Sequence, residues 1–162
     1  VDRDNLINRM DYKYNLWKSI EKNQGKSLND IGAIIFRGKP SKKDLVLSGL
    51  DFLHTSDLQK SFELKKYQSN SILQKLPYAQ KGDIIIPRVG KRLEKLLVIQ
   101  KGTIIISDCV YVIRVEEKYR QNVVNALISD EGKNWIKAHS HGVCAKVISK
   151  TDLLSFRVKD IQ

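Results

Sequence analysis

Two groups of residues in this sequence have the types and spacing that chemistry needs. The first is acidic. Asp51 and Asp57 precede Glu63-Leu64-Lys65. An Asp followed by a Glu-x-Lys is how metal-dependent nucleases hold Mg2+ and activate water, because hard cations take carboxylate oxygens and the lysine steadies developing charge. In a chain with 29 Lys and Arg a Glu-x-Lys also arises by coincidence, so the nuclease stands as a rival reading. The second group is basic. Arg37, Lys39, Lys42 and Lys43 follow one expected strand, Arg88, Lys91 and Arg92 follow another, and Lys146 and Lys150 flank a third. Any one of them reads equally well as a solvated surface charge. Gly38 and Gly90 set two of the clusters apart. Glycine lets a backbone approach a ligand closely, and arginine pairs bidentately with guanine or phosphate.

A third constellation is weaker. His139, His141 and Cys144 lie close in "HSHGVC", with Cys109 as an imaginable fourth zinc ligand. Structural zinc sites show tighter paired spacing, and Cys109 sits among Ile and Val where a buried, inert thiol is common. No metal site is therefore expected. Nor does the chain contain a phosphate-binding G-x-x-x-x-G-K-S/T loop, a G-x-S-x-G elbow or an H-E-x-x-H pair.

Composition narrows the setting. A chain of 162 residues suits one domain with a real core. The formal net charge of +11 favours a polyanion as partner. Nucleic acid is the first candidate, since no long basic amphipathic helix with aromatic anchors points to a membrane surface. No apolar run approaches the roughly 20 residues of a membrane span, and no secretory signal is read at an N-terminus charged from Asp2. Two cysteines outside any CxxC pair fit a reducing cytoplasm. The start at Val1 suggests an excised domain or a processed chain.

The elements that must position these residues follow from periodicity. Met10, Tyr14, Trp17 and Ile20 predict an amphipathic N-terminal helix over 8–23. Residues 27–44 read as a turn or helix start, a strand and a basic loop, and 50–58 as a short strand running into a polar turn. Residues 59–80 read as a long, irregular surface excursion. Strands are predicted at 83–87, 95–99, 103–106 and 109–115, then a helix over 117–129 that Gly132 ends or bends. A last short strand in "CAKVIS" follows, with Ser149 or Thr151 placed to cap a helix or turn. Lys81-Gly82 and Ile84-Ile85-Ile86 are echoed by Lys101-Gly102 and Ile104-Ile105-Ile106. Two short echoes with diverging flanks do not make a repeat protein, and a glycine-led turn feeding a buried strand explains both. The second copy is expected to lie beside the first. Pairing is expected to end at Pro87, which lacks an N–H, leaving residues 87–92 as a loop that carries Arg88 away from the sheet.

The order of these motifs resembles a known family. "SLNDIGAIIFRGKP", "FLHTSDL", "KGDIIIPRVG", "ISDCVYVIRV" and "GKNWIKAHSHGVCAKVISKTDLLSFRV" look like successive segments of the target recognition domain of type I restriction-modification DNA specificity subunits. The resemblance covers roughly residues 27–160, and the same domain type is found fused to N6-adenine DNA methyltransferases. Full specificity subunits carry two such domains separated by long helices, whereas this chain holds one.

The resemblance implies a single α+β domain with a curved mixed β-sheet, an N-terminal helix and a C-terminal helical segment, divided into a lead-in at 1–26 and a recognition domain at 27–162. It implies sequence-specific recognition of double-stranded DNA, for which the basic clusters offer Arg37, Lys39, Lys42, Lys43, Arg88, Lys91, Arg92, Lys146 and Lys150 as the candidate contacts. It also implies no catalysis and no cofactor in this chain. S-adenosylmethionine, Mg2+ and ATP would belong to methyltransferase and restriction subunits or to a fused methyltransferase domain. Beside it stand the nuclease built on Asp51 or Asp57, Glu63 and Lys65, and a basic protein-docking module with no DNA role.

Overall fold

The computed structural model describes residues 25–68, 75–159 and 161. The helix predicted over 8–23 lies outside the described residues.

Strand alternation organises the fold. β2 (Ile34–Arg37), β10 (Val110–Arg114), β6 (Ile84–Pro87), β8 (Leu97–Lys101) and β4 (Glu63–Lys66) form a five-stranded sheet in that order. β3 (Phe52–Leu53), β9 (Thr103–Ile106) and β5 (Tyr78–Gln80) form a three-stranded sheet. Both sheets are mixed, with β4–β8 and β3–β9 parallel. Successive side chains of a strand face opposite sides. Accordingly Ile84, Ile86, Tyr111 and Ile113 enter one core, while Ile85, Val110 and Val112 enter another. The first core is closed by helices α2 (Glu117–Ile128) and α3 (Asp130–His139) through Val123, Val124, Leu127, Trp135 and Ile136. The second is closed by Leu53, Ile104 and Ile106 of the three-stranded sheet. On that sheet's outer face Leu45 of helix α1 (Lys42–Ser48) packs on Ile105.

The α+β class is thus as expected, with the strands divided between two packed sheets and two small ribbons. One ribbon pairs β1 (Lys26–Ser27) with β12 (Arg157–Val158). The other pairs β7 (Val89–Gly90) with β11 (Lys146–Val147). Helix α4 (Lys150–Ser155) begins at Ser149, whose Oγ accepts the Asp152 N–H at 3.0 Å, so Ser149 and not Thr151 is the cap.

Three local expectations are corrected. The stretch 59–80 contains two strands. β4, sequence ELKK, has little strand propensity of its own and is held by its pairing with β8. The helix predicted over 117–129 is α2, but the break falls at Ser129 and not at Gly132: Ser129 ends α2 and caps α3 by accepting the Gly132 N–H at 3.0 Å. Gly132 is needed for close packing: a Cβ there would run into the Ala126 carbonyl. The echoed strands are not hydrogen-bonded neighbours. β6 lies between β10 and β8, and β9 belongs to the other sheet. Each Lys-Gly is a corner where the chain crosses between sheets: β5 to β6 at 81–82, β8 to β9 at 101–102. Both glycines have positive φ, 90° and 81°.

The first corner is fixed by a buried ion pair. Asp83 is 1% exposed. Its carboxylate accepts Arg114 Nε at 2.8 Å and Nη2 at 2.7 Å, together with the Gln80 N–H at 2.8 Å. The same guanidinium lies over the Phe36 ring at 5.2 Å. Asp83→Ala leaves a mostly buried cation and a turn N–H without their acceptor. Breaking such a pair costs about 3–5 kcal/mol, and the partial exposure of Arg114 argues for the lower end. Denaturant unfolding of the variant is expected to show that loss. A change under about 1 kcal/mol would mean that the corner is held by apolar packing alone.

Candidate nucleic-acid interface

Strand direction collects the candidate cations. β2 and β6 end, and β10 begins, at the same pole of the five-stranded sheet, with Arg37 opposite Tyr111 and Pro87 opposite Val110. β3 and β9 end there too, with Leu53 opposite Ile106. The turn Arg37-Gly38-Lys39-Pro40 closes over this pole, where the Pro40 carbonyl accepts the Asp108 N–H at 3.0 Å. Lys42 and Lys43 follow at once, exposed, in the first turn of α1. The structure thus puts them in a helix and not in the expected basic loop. The overlooked signal was the capping box of Ser41 and Asp44, in which the Asp44 N–H donates to Ser41 Oγ at 3.2 Å. The β7–β11 ribbon continues from the end of β6 and sets Lys146 opposite Gly90, with Lys91 and Arg92 next along the chain. Lys150 opens α4, and its backbone comes close enough to the Tyr111 phenol to pull it down. The cations named from sequence therefore lie on segments that leave or adjoin this pole.

Their settings differ. Arg37, Lys39, Lys42, Lys43, Lys91, Arg92, Lys146 and Lys150 are exposed, and Arg88 is half-buried. Arg92 Nε lies 3.2 Å from Glu94 Oε1. Lys146 Nζ turns back to the Gly142 carbonyl at 2.7 Å. Gly38 is buried and its close approach is internal, because a Cβ there would strike the Ile106 carbonyl and the Ser107 backbone. Gly90 has φ of 152° and open space where a Cβ would stand. Of the two glycines, only Gly90 leaves room for an outside group.

Arg88 departs from the expected loop. Pairing does not stop at Pro87. The Arg88 N–H donates to the Cys109 carbonyl at 2.9 Å, and the Arg88 carbonyl accepts the Ile148 N–H at 3.2 Å. The proline is tolerated because its missing N–H falls on the β8 side, where the register ends at Ile85 opposite Leu97. The Arg88 side chain pairs with no carboxylate: Nε donates to the main-chain carbonyl of Asp108 at 2.8 Å. One edge of the guanidinium is thereby fixed to the protein, while the terminal nitrogens have no partner shown among the described residues.

Beneath the cations lies a polar cluster that sequence reading missed. His54 Nδ1 and Ser107 Oγ are 2.8 Å apart, with Ser107 fully buried. The Asp57 carboxylate caps the turn after β3 by accepting the His54 N–H at 2.8 Å. Burial, then Lys42, pulls the His54 imidazole below its ordinary pKa, against Asp57 and Asp108. Burial, then the hydrogen bond from its Sγ to Asp108 at 3.3 Å, pushes the Cys109 thiol up. Cys109 is thus a protonated thiol with little nucleophilic or ligating character. Burial also raises the Tyr111 phenol, while Arg88 and Arg37 pull it down, which places both guanidiniums within electrostatic reach of one ring.

The acidic group is otherwise employed. Asp57 serves the His54 cap, and Glu63 Oε2 accepts the Gln59 N–H at 3.3 Å. Lys65 Nζ donates to the Asp57 main-chain carbonyl at 2.8 Å and stands 4.0 Å from Glu63. Asp51 is exposed in the turn before β3. Burial, then the charges of Asp57 and Glu63, pushes the Tyr67 phenol up to about 12. Among the described residues no three His, Cys, Asp or Glu gather where they could hold a metal. His139 is buried, stacked on Trp135 at 3.8 Å between ring centroids, with Nδ1 2.9 Å from the Trp135 carbonyl. Cys144 lies exposed on a separate loop.

No family model matches the sequence, and no curated protein does. Among solved structures the chain is similar to one described as the S subunit of a type I restriction-modification system from M. genitalium. The TM-score is 0.51 at 13% identity, over 86% of this chain and 35% of that one. The chain thus spans about a third of that structure's length. At this identity the likeness is one of fold, and it is the fold that the motif order implied.

Proposed function

We propose that this chain recognises double-stranded DNA, as the target recognition domain of a type I restriction-modification specificity subunit or of a fused adenine methyltransferase. The observation that carries the reading is that the segments bearing Arg37, Lys39, Lys42, Lys43, Arg88, Lys91, Arg92, Lys146 and Lys150 leave or adjoin one pole of the two-sheet scaffold. A basic face of this kind meets phosphates, and arginine forks among it read base edges. The fold likeness to a specificity subunit supports the same conclusion. In this reading the domain does no chemistry. Methyltransferase and restriction subunits, or a fused methyltransferase domain, supply methylation and cleavage in the cytoplasm with S-adenosylmethionine, Mg2+ and ATP.

If about four to six of the polar cations meet phosphates, log K for a labelled duplex falls against log salt with a slope of about −4 to −5. A flat slope, or no complex at low salt, removes the proposal. Purified protein with Mg2+ or Mn2+ is expected to leave the duplex intact. Cleavage that disappears in Glu63→Ala would reinstate the nuclease.

Arg88 separates reading from mere attraction. Arg88→Ala removes one hydrogen bond to a main-chain carbonyl, worth about 1 kcal/mol of stability. It is expected to cost about 1–3 kcal/mol in binding to the preferred site and less on random duplex. Arg88→Lys keeps the charge, loses the fork, and should recover the random-duplex affinity alone. An affinity per folded molecule equal to that of the parent would make Arg88 a purely structural residue.

A further inference from the structure

We propose that residues 141–147 form a finger that enters a groove of the duplex, with Val143 as its apolar contact to base edges. The inference rests on the DNA-recognition reading above and adds to it an element that carries no charge of its own at its tip.

Val143 is 96% exposed, and Gly142, Cys144 and Ala145 around it are exposed as well. Single exposed apolar residues are common on protein surfaces. This one belongs to a run of four uncharged residues, Gly142-Val143-Cys144-Ala145, in a chain of net charge +11. The run is held in shape. His141 and Val147 exchange both main-chain hydrogen bonds, at 2.9 and 2.8 Å, and the Lys146 ammonium braces the Gly142 carbonyl at 2.7 Å. Gly142 has φ of 115°, and a Cβ there would run into the Ala145 carbonyl, so the turn requires glycine. A fixed loop loses little conformational freedom on binding.

Its position supplies the rest. Val147 lies opposite Val89 and Lys146 opposite Gly90, so the loop stands at the outer end of the β7–β11 ribbon. Lys91 and Arg92 follow the end of β7 at Gly90, and Lys146, opposite Gly90, stands at the foot of the loop. Cations at the foot of an uncharged tip suit a DNA groove: Lys91 and Arg92 meet a phosphate wall, and the tip meets the base edges beside it. In the major groove the apolar group available is the thymine methyl; in the minor groove an aliphatic side chain wedges against a base step. A loop that only tracked phosphates would gain nothing from a valine at its apex.

The exposed thiol of Cys144 sits next to the tip and reports on it without mutation. Alkylation of Cys144 by iodoacetamide, followed by peptide mass mapping, is expected to slow at least about ten-fold when the protein is saturated with short random-sequence duplexes at low salt, as burial in a groove requires. Val143→Thr keeps the shape and the charge. Selection of wild type and variant against a randomised duplex pool is expected to give a changed base preference at one or two adjacent positions. Unchanged alkylation in the complex, or an unchanged selected sequence, overturns the finger while leaving DNA binding intact. Absence of any complex overturns both, and the salt titration identifies that outcome separately. Folding does not confound the comparison, because the side chain is almost wholly in solvent.

Discussion

The Asp83 carboxylate sits where the chain must change sheets, and the rest of the layout depends on that corner. β5 belongs to the three-stranded sheet and β6 to the five-stranded one, so residues 81–83 must turn between layers without leaving main-chain groups unpaired. Gly82 makes the turn, its N–H donating to the Ile99 carbonyl at 2.8 Å, and the Asp83 carbonyl receives the Ile99 N–H at 3.0 Å. The carboxylate then joins the Gln80 N–H to the Arg114 fork on β10. One side chain thereby ties β5, β6 and β10 together and fixes the register that carries Ile85 into one core and Ile84 and Ile86 into the other. A slip by one residue would exchange those faces. The same register decides which residues arrive at the far pole, so the basic face is set in part by a carboxylate at the opposite end of the sheet.

Much of this was readable as strands and little of it as sheets. The apolar runs at 84–86, 97–99, 104–106 and 110–113 announced themselves through β-branched residues, and each became a strand within two residues of its expected bounds. Which strand pairs with which was not legible, because Ile85 and Ile105 look alike in sequence while one is sandwiched between sheets and the other lies under α1. β4 was missed for the opposite reason. Glu63-Leu64-Lys65-Lys66 has the composition of a solvated segment, and its strand conformation comes from the neighbouring Leu97–Lys101. The glycines divided in the same manner. Gly38 and Gly90 both flank arginine or lysine in sequence, yet one is packed against its own chain and the other faces open space.

The basic residues were legible as separate clusters in the sequence and not as a geometry. A net charge of +11 and three basic clusters pointed to a polyanion from composition alone. That the clusters meet at one pole depends on β2 and β6 running the same way with β10 between them, which sequence spacing does not encode. The polar layer beneath the cations was invisible for the same reason. His54 and Ser107 are 53 positions apart, and only the parallel pairing of β3 with β9 brings them to 2.8 Å.

Convergence also changes what Arg88 means. An arginine on a free loop would meet DNA as a mobile charge and lose side-chain freedom on doing so, a cost of up to about 2 kcal/mol. Here the backbone on both sides of Arg88 is paired, and its Nε is already committed to the Asp108 carbonyl. The Asp108 N–H is in turn bonded to Pro40, in the turn that carries Arg37 and Lys39. The two glycine-flanked basic segments are therefore coupled through one dipeptide, Asp108-Cys109, and a shift in either would be felt by the other. A sheet edge that holds its cations in this way loses the adaptability of a loop. What it gains is a fixed place for the Arg88 guanidinium, and a group held in place before binding loses less freedom when it binds.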